Sequence, residues 1–333
     1  TVPSTSGVSS VTSNNGEFQN QGFEFELGFR IIDAKDWKWN LNWNGALNKN
    51  KVVSLPDNGL ERNRQSAYQV YTGNGDEKKW VGGYQEGQRP GDLYMFVAEG
   101  LYKSQDEIPA NLIDLTTGNN GSSGRPLYGG AEGYNKLTDS QKSNALPIQP
   151  GDVKWKDVNG DGVIDNYDMV KVGNTVPKWT GGFNTELSWK GISLGIQLEA
   201  RYGNKVLNQD RSLFEADGSY GDSNIWKGAL NYWKKPGDTN VLPKPIYNNS
   251  SNSSQISTRY LEDGSYLRIK DITLAYNLPS KWTKKALMSG VRIYASALNL
   301  YTFHNMNYWD PEHGTTGATI ISYPMTRSMI CLL

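Results

Sequence analysis

Asp157-Val-Asn159-Gly-Asp161-Gly162-Val163-Ile-Asp165-Asn-Tyr-Asp168 sets oxygen-bearing side chains at relative positions 1, 3, 5, 9 and 12, with glycine at 6. That is the spacing of a calcium loop, in which position 7 adds a backbone carbonyl and the glycine permits a sharp turn. Calcium is a hard cation that takes six to eight oxygens. Asp157, Asn159, Asp161 and Asp168 are expected to offer side-chain oxygens, Val163 its carbonyl, and Asp165 a direct or water-mediated contact. The expected ion is structural. The same acidic Gly-Asn run also fits an ordered turn that holds no metal.

Catalytic chemistry finds little to build on. The only two histidines, His304 and His313, sit in one loop-like stretch and are too few for a zinc triad. Neither a Gly-x-Ser-x-Gly elbow nor a phosphate-binding Gly-Lys-Ser/Thr run is present. Glu24, Glu26, Glu186 and Glu199 would have to converge across a cleft to act as a glycosidase pair. Their alternation with apolar residues reads instead as the solvated face of strands. No catalytic residue, no cofactor-binding residue and no enzymatic activity are expected. Trp226, Trp233 and Trp309 lie in loops and are the freer tryptophans for a ligand or partner.

The elements that carry these residues are strands. From Trp37 to Leu47 every odd position is apolar or small, and the even positions are Lys or Asn apart from Ala46. Alternate strand side chains point to opposite faces, so one face carries Trp37, Trp39 and Trp43 while the other is polar. The stretch before it does the same, with Phe23, Phe25, Leu27, Phe29 and Ile31 against Glu24, Glu26, Gly28 and Arg30. Strands are expected at 17–31, 36–48, 179–189, 192–202, 265–278, 290–300 and weakly at 322–333, with less certain ones near 66–72 and 92–102. In 265–278 the apolar parity switches near Asp271, the mark of a β-bulge. The greasy face fits a buried core, and it equally fits lipid, since a transmembrane barrel strand is written apolar-out and polar-in.

The connections are very unequal. Ile32 to Lys35 and Lys190-Gly191 are short, whereas 104–150, 204–262 and 302–321 are long and rich in Gly, Asn, Ser and Pro, with a polar tip at Asn248 to Ser254. Long structureless loops are unusual in a compact soluble domain, but barrels have short periplasmic turns and long extracellular loops. The short helix-like stretch from Pro279 to Met288 falls on the short-turn side. No run approaches the ~18 apolar residues of a membrane helix, and barrel strands need none. Balanced charge (34 basic, 34 acidic) gives no reason to expect nucleic acid. The lone Cys331 excludes an internal disulfide. Thr1 is preceded by no basic or apolar leader, which reads as a mature product or a fragment.

Several blocks then resemble one family. Gln19-Asn-Gln-Gly-Phe23, Asn48-Lys-Asn-Lys-Val-Val-Ser-Leu-Pro56, Gln149-Pro-Gly-Asp-Val-Lys-Trp155 running into the 157–168 loop, and Val172-Gly-Asn-Thr-Val-Pro177 are similar to SusC/RagA-type TonB-dependent transporters of Bacteroidetes. So are Tyr260-Leu-Glu-Asp-Gly-Ser-Tyr-Leu-Arg268, Asn299-Leu-Tyr-Thr-Phe303, Asp310-Pro-Glu312 and Tyr323-Pro-Met-Thr-Arg327. The resemblance implies an all-β fold: residues 1–333 as the C-terminal part of a 22-stranded antiparallel transmembrane β-barrel in the outer membrane. It implies import of glycan or peptide oligomers, a SusD-like surface lipoprotein as partner, and energy from TonB. The plug, the TonB box and the first barrel strands are expected to precede Thr1, and lipid is expected to surround the wall. Lys38, Asn40, Asn42, Asn44, Glu24, Glu26, Arg30, Glu186, Gln197, Glu199 and Arg201 would then line the lumen; substrate contacts do not follow from sequence. The rival reading is a secreted β-rich, calcium-dependent carbohydrate-binding or adhesion module that buries its Phe23 and Trp39 faces against a second sheet.

Overall fold

The structure, a computed structural model, describes residues 7, 16–116, 125–215, 217–218, 224–238, 241–247, 252–312, 318–319 and 325–332. Seven strands form one antiparallel sheet: β1 (Glu17–Asp33), β2 (Trp37–Ser54), β3 (Trp179–Trp189), β4 (Ile192–Tyr202), β5 (Tyr266–Asn277), β6 (Arg292–His304) and β7 (Ser328–Leu332). Each strand pairs with its neighbour in chain order, so the sheet is a simple meander. β3 and β4 coincide with the alternating runs that predict them. The stretches near 66–72 and 92–102 do form strands, but they pair outside the wall. Among the described residues the wall therefore has seven strands, where about nine are readable by pattern alone.

Register turns the alternation of each strand into continuous rows. On the apolar side Leu27, Trp43, Phe183, Leu198 and Ile269 lie opposite one another across five strands. The bulge expected near Asp271 is present: Leu198 pairs with Ile269 and Gln197 with Asp271, which skips Lys270. A slip of one residue flips side chains to the other face. The skip keeps Ile269 and Ile272 on the same side, although they are three positions apart. Asn299 in β6, with a positive φ of 51°, sits beside the matching register shift.

The short turns follow from local chemistry. Lys190 and Gly191 both have positive φ, the geometry of a two-residue hairpin whose twist suits the flanking strands, and glycine takes that conformation without penalty. Residues 280–286 make one helical turn and a 3-10 turn on the same side of the sheet.

The apolar face has no second sheet over it among the described residues. Phe23 is 63% exposed, and Phe29, Trp37, Trp43, Leu47, Trp189, Ile192, Leu274 and Phe303 are exposed as well. The buried core lies elsewhere, in the connections. Phe96, Tyr102, Ile108, Leu112, Leu127, Ile148, Val153, Trp155 and Ile164 pack together within the β2–β3 connection. A second cluster joins Met95 to Leu207 and Tyr260 of the β4–β5 connection. Those connections are folded caps, with their own small sheets, rather than structureless loops. The tip residues 248–251 and His313 lie outside the described residues.

Candidate lumenal site

The polar face carries the site. Glu26, Asn44, Gly182, Glu199, Arg268 and Thr302 form one row across six strands. A second row runs Arg30, Asn40, Glu186, Gly195, Thr273 and Ser296. All the side chains expected on the lumen side fall on this face. A hollow of about 900 Å³ opens over it, lined by Glu24, Glu26, Asn184, Gln197, Glu199 and Arg201 among others. Gly182 and Ala46 leave room there, while amides and carboxylates supply hydrogen-bonding groups.

One end of the row is an ion-paired cluster that strand patterning alone did not single out. Arg268 is fully buried; its Nε donates to Thr302 Oγ1, 3.0 Å away, and its two terminal nitrogens pair with Asp310 and Glu312. Glu199 accepts from the Tyr266 hydroxyl at 2.9 Å and lies 3.1 Å from Lys270 and 3.7 Å from Arg201. Three cations and three carboxylates thus bind the 305–312 segment to β4 and β5. Glu199 is consumed by this cluster, which removes it from any glycosidase pair. The legible signals were Arg268-x-Lys270 on β5 and Asp310-x-Glu312 after β6, each a same-charge pair at strand spacing.

The 157–168 loop folds over itself. Asp157 accepts from the backbone N–H of Gly160 and Gly162, Asp161 from that of Val163, and Asp165 from that of Tyr167. Asp168 is fully buried and accepts from the N–H of Val158 and of Asp165. Burial pushes the Asp168 carboxyl up to about 7, with Asp165 and Asp157 adding repulsion. Asn159 donates to Asp161 and to Asp76. Val163 pairs with Ile113 on a neighbouring strand. No group of three or more His, Cys, Asp or Glu is arranged to hold a metal ion among the described residues.

The tryptophans divide by face. Trp37 stacks on Trp189 at the short-turn edge of the apolar face, with centroids 5.5 Å apart. Trp39 donates its indole N–H to Thr185 Oγ1 at 2.8 Å, so that apolar face hides no orphaned donor there. The loop tryptophans are less free than their position suggests. Trp233 is buried against Gly151, and Trp226 is held between Phe214 and Tyr308.

A meandering wall with an uncovered apolar face, a polar opposite face and folded caps at one end defines a segment of a transmembrane β-barrel. Comparison with known proteins finds relatives of that class. The chain is 30% identical over 311 residues to the TonB-dependent receptor P3 of Formosa agariphila, spanning 93% of this chain and 27% of that protein. It is 22% identical to the TonB-dependent receptor SusC of Bacteroides thetaiotaomicron over 97% of this chain and 26% of SusC. The solved structure of the RagAB peptide transporter superposes on 99% of the chain with a TM-score of 0.66 at 23% identity, using 30% of the transporter chain. No family model matches. The resemblance to SusC/RagA-type TonB-dependent receptors thus holds along nearly the whole chain. It spans roughly a quarter to a third of the length of the relatives it matches. Those relatives are receptors and transporters rather than enzymes, in line with the expectation from sequence.

Proposed function

We propose that this chain is the C-terminal portion of a 22-stranded outer-membrane importer and supplies part of its wall and its extracellular caps. The observation that carries this reading is the seven-stranded sheet with lipid-type and water-type faces in register, superposable on the RagAB transporter. The short turns would face the periplasm and the caps the outside. TonB would act on a plug elsewhere in the receptor, and a SusD-like lipoprotein would cover the capped end. The cargo would be oligopeptides or oligosaccharides. A wall of amides and paired charges wets well and offers many weak contacts, so a hydrated oligomer can pass without being held. The test is uptake of labelled oligopeptides and oligosaccharides by cells with and without the full-length receptor, with a protonophore as control. Receptor-dependent, protonophore-sensitive uptake of one class is expected. Identical uptake after deletion of the receptor would sink the proposal.

We propose further that the 157–168 loop takes a structural calcium ion. Support comes from the spacing of its oxygen ligands and from the buried Asp168 at the twelfth position. Calorimetric titration of the intact receptor should show one site that disappears in Asp157→Ala/Asp161→Ala. Absence of any calcium heat would leave the loop as a self-capped turn.

A further inference from the structure

The caps hold a pocket of about 420 Å³ whose walls come from two connections far apart in sequence. Leu127, Leu146 and Pro147 belong to the β2–β3 connection, and Pro245, Ile246 and Tyr247 to the β4–β5 connection. Backbone hydrogen bonds fix both sides. The Leu146 N–H donates to the Pro126 carbonyl, the Ile246 N–H to that of Asp217, and the Lys244 N–H to that of Gly151 at 3.0 Å, which ties one wall to the other. Tyr247 is 79% exposed and stands at the rim. The volume falls in the range of small-ligand sites, and the walls are set by the fold rather than by a ligand.

The polar groups of the lining are few. Asp152 is buried at 3% exposure; its Oδ2 accepts from the Gln149 N–H at 2.8 Å, while its Oδ1, equally cut off from water, has no hydrogen-bond partner. A buried carboxylate oxygen without a donor is costly, and a bound N–H relieves that cost. Burial pushes this carboxyl up to about 7, with Asp114 adding repulsion and Lys244 opposing the shift. Lys244 forms no ion pair among the described residues and donates to Gln149 Oε1 at 3.2 Å. Asp152 also borders a void of about 10 Å³ beside Asp114, which has room for a single water at most. The larger pocket is the one of the two that admits a ligand. Hydrocarbon walls suit a sugar poorly, because each hydroxyl set against them goes unpaired.

We propose that this cap pocket takes the free amino terminus of an oligopeptide whose first residue is apolar, with the ammonium on Asp152 and the side chain against Leu146 and Ile246. Such a terminus offers a charged donor, then hydrocarbon, then a carbonyl within reach of the Lys244 ammonium. An ammonium–carboxylate hydrogen bond is stronger than a neutral one, and shelter from water strengthens it further. The inference rests on the import reading given above, which puts the caps outside the cell and oligopeptides among the cargo. The pocket would then hold peptide at the capped end, apart from the polar hollow of the wall, and select peptides by an unblocked terminus.

Calorimetry on the full-length receptor in detergent tests this with leucyl-alanyl-alanine as the probe, beside its N-acetylated form. The free amine should bind about tenfold or more tightly than the acetylated peptide. It should also slow hydrogen exchange at 146–152 and 242–247, where the acetylated peptide has little effect. Asp152→Asn should lose the preference while keeping the heat-dependent gel shift of a folded barrel. Ile246→Glu, which leaves Asp152 in place and puts a charge on the apolar wall, should weaken the free peptide about tenfold and decides the matter if the first variant does not fold. Equal binding of the two peptides by the wild type, an undiminished preference in folded Asp152→Asn, or protection confined to the wall strands overturns the proposal. Uptake by cells reports separately on the parent reading. A receptor that imports neither peptide sinks both, whereas one that imports the two alike sinks only this inference.

Discussion

At the scale of single residues, the buried charges of the caps and the wall decide local order. Arg268 has no access to water, so its guanidinium depends wholly on Thr302, Asp310 and Glu312. Arg268→Met leaves Asp310 without its cation and Glu312 with only Lys270, 3.8 Å away, and the 305–312 segment should lose on the order of 2–3 kcal/mol of local stability. Faster hydrogen exchange confined to that segment is the expected readout, with Arg268→Lys recovering only part. In the caps, burial pushes Asp114 up from 3.8 to about 6 and Asp152 up to about 7. Asp114 accepts from Thr116, and Asp152 accepts from the Gln149 N–H; Tyr102, Glu99 and Lys244 are the other titratable groups nearby. Because folding raises these carboxyls above their unfolded values, their contribution is complete below about pH 4 and is lost as pH climbs through 6 to 7. Exchange around Tyr102 and Trp155, corrected for intrinsic rate, should therefore quicken between about pH 4 and pH 7, and Asp152→Asn should flatten the change.

At the scale of elements, the two faces of one strand predict opposite tolerance. Trp43 lies mid-row on the lipid side, and Asn44 beside it faces the lumen. Trp43→Arg should cost about 2–4 kcal/mol in a chemical-denaturation series of the intact barrel, while Asn44→Arg should be near neutral. Gly45 is special within this strand, because the rings of Phe25 and Trp179 lie over it and a Cβ would come within 2.7 Å of Phe25. Gly45→Val should cost about 1–3 kcal/mol by displacing both rings, read in the same series. The bulge at Lys270 matters for the same reason of parity. Were Lys270 paired in a regular ladder instead of skipped, either Ile269 or Ile272 would face the water-filled side.

At the scale of the whole molecule, the sheet of described residues has two edges, β1 and β7, and strand edges in hydrocarbon leave backbone groups unpaired. Expressed alone, this segment should self-associate in detergent, whereas the full-length receptor should elute as one defined species; size-exclusion chromatography compares them. A stable, monodisperse segment in plain buffer would argue for the soluble rival reading. Much of the wall was legible in the residues. Period-two alternation placed β3 and β4 to the residue and flagged the bulge, because every strand shows its two solvents at alternate positions. The caps were legible only at the strands near 66–72 and 92–102: cap strands are two to six residues long, and their core residues come from distant points such as Phe96, Leu127 and Ile164. The ion cluster escaped too, since Arg268 and Glu312 are 44 positions apart and only a folded loop joins them. Sequence by itself thus determined the strands, their two faces and the family resemblance, all local or periodic properties. Tertiary structure decided what local pattern cannot encode: that no second sheet covers the apolar face among the described residues, and that the long connections carry the buried core.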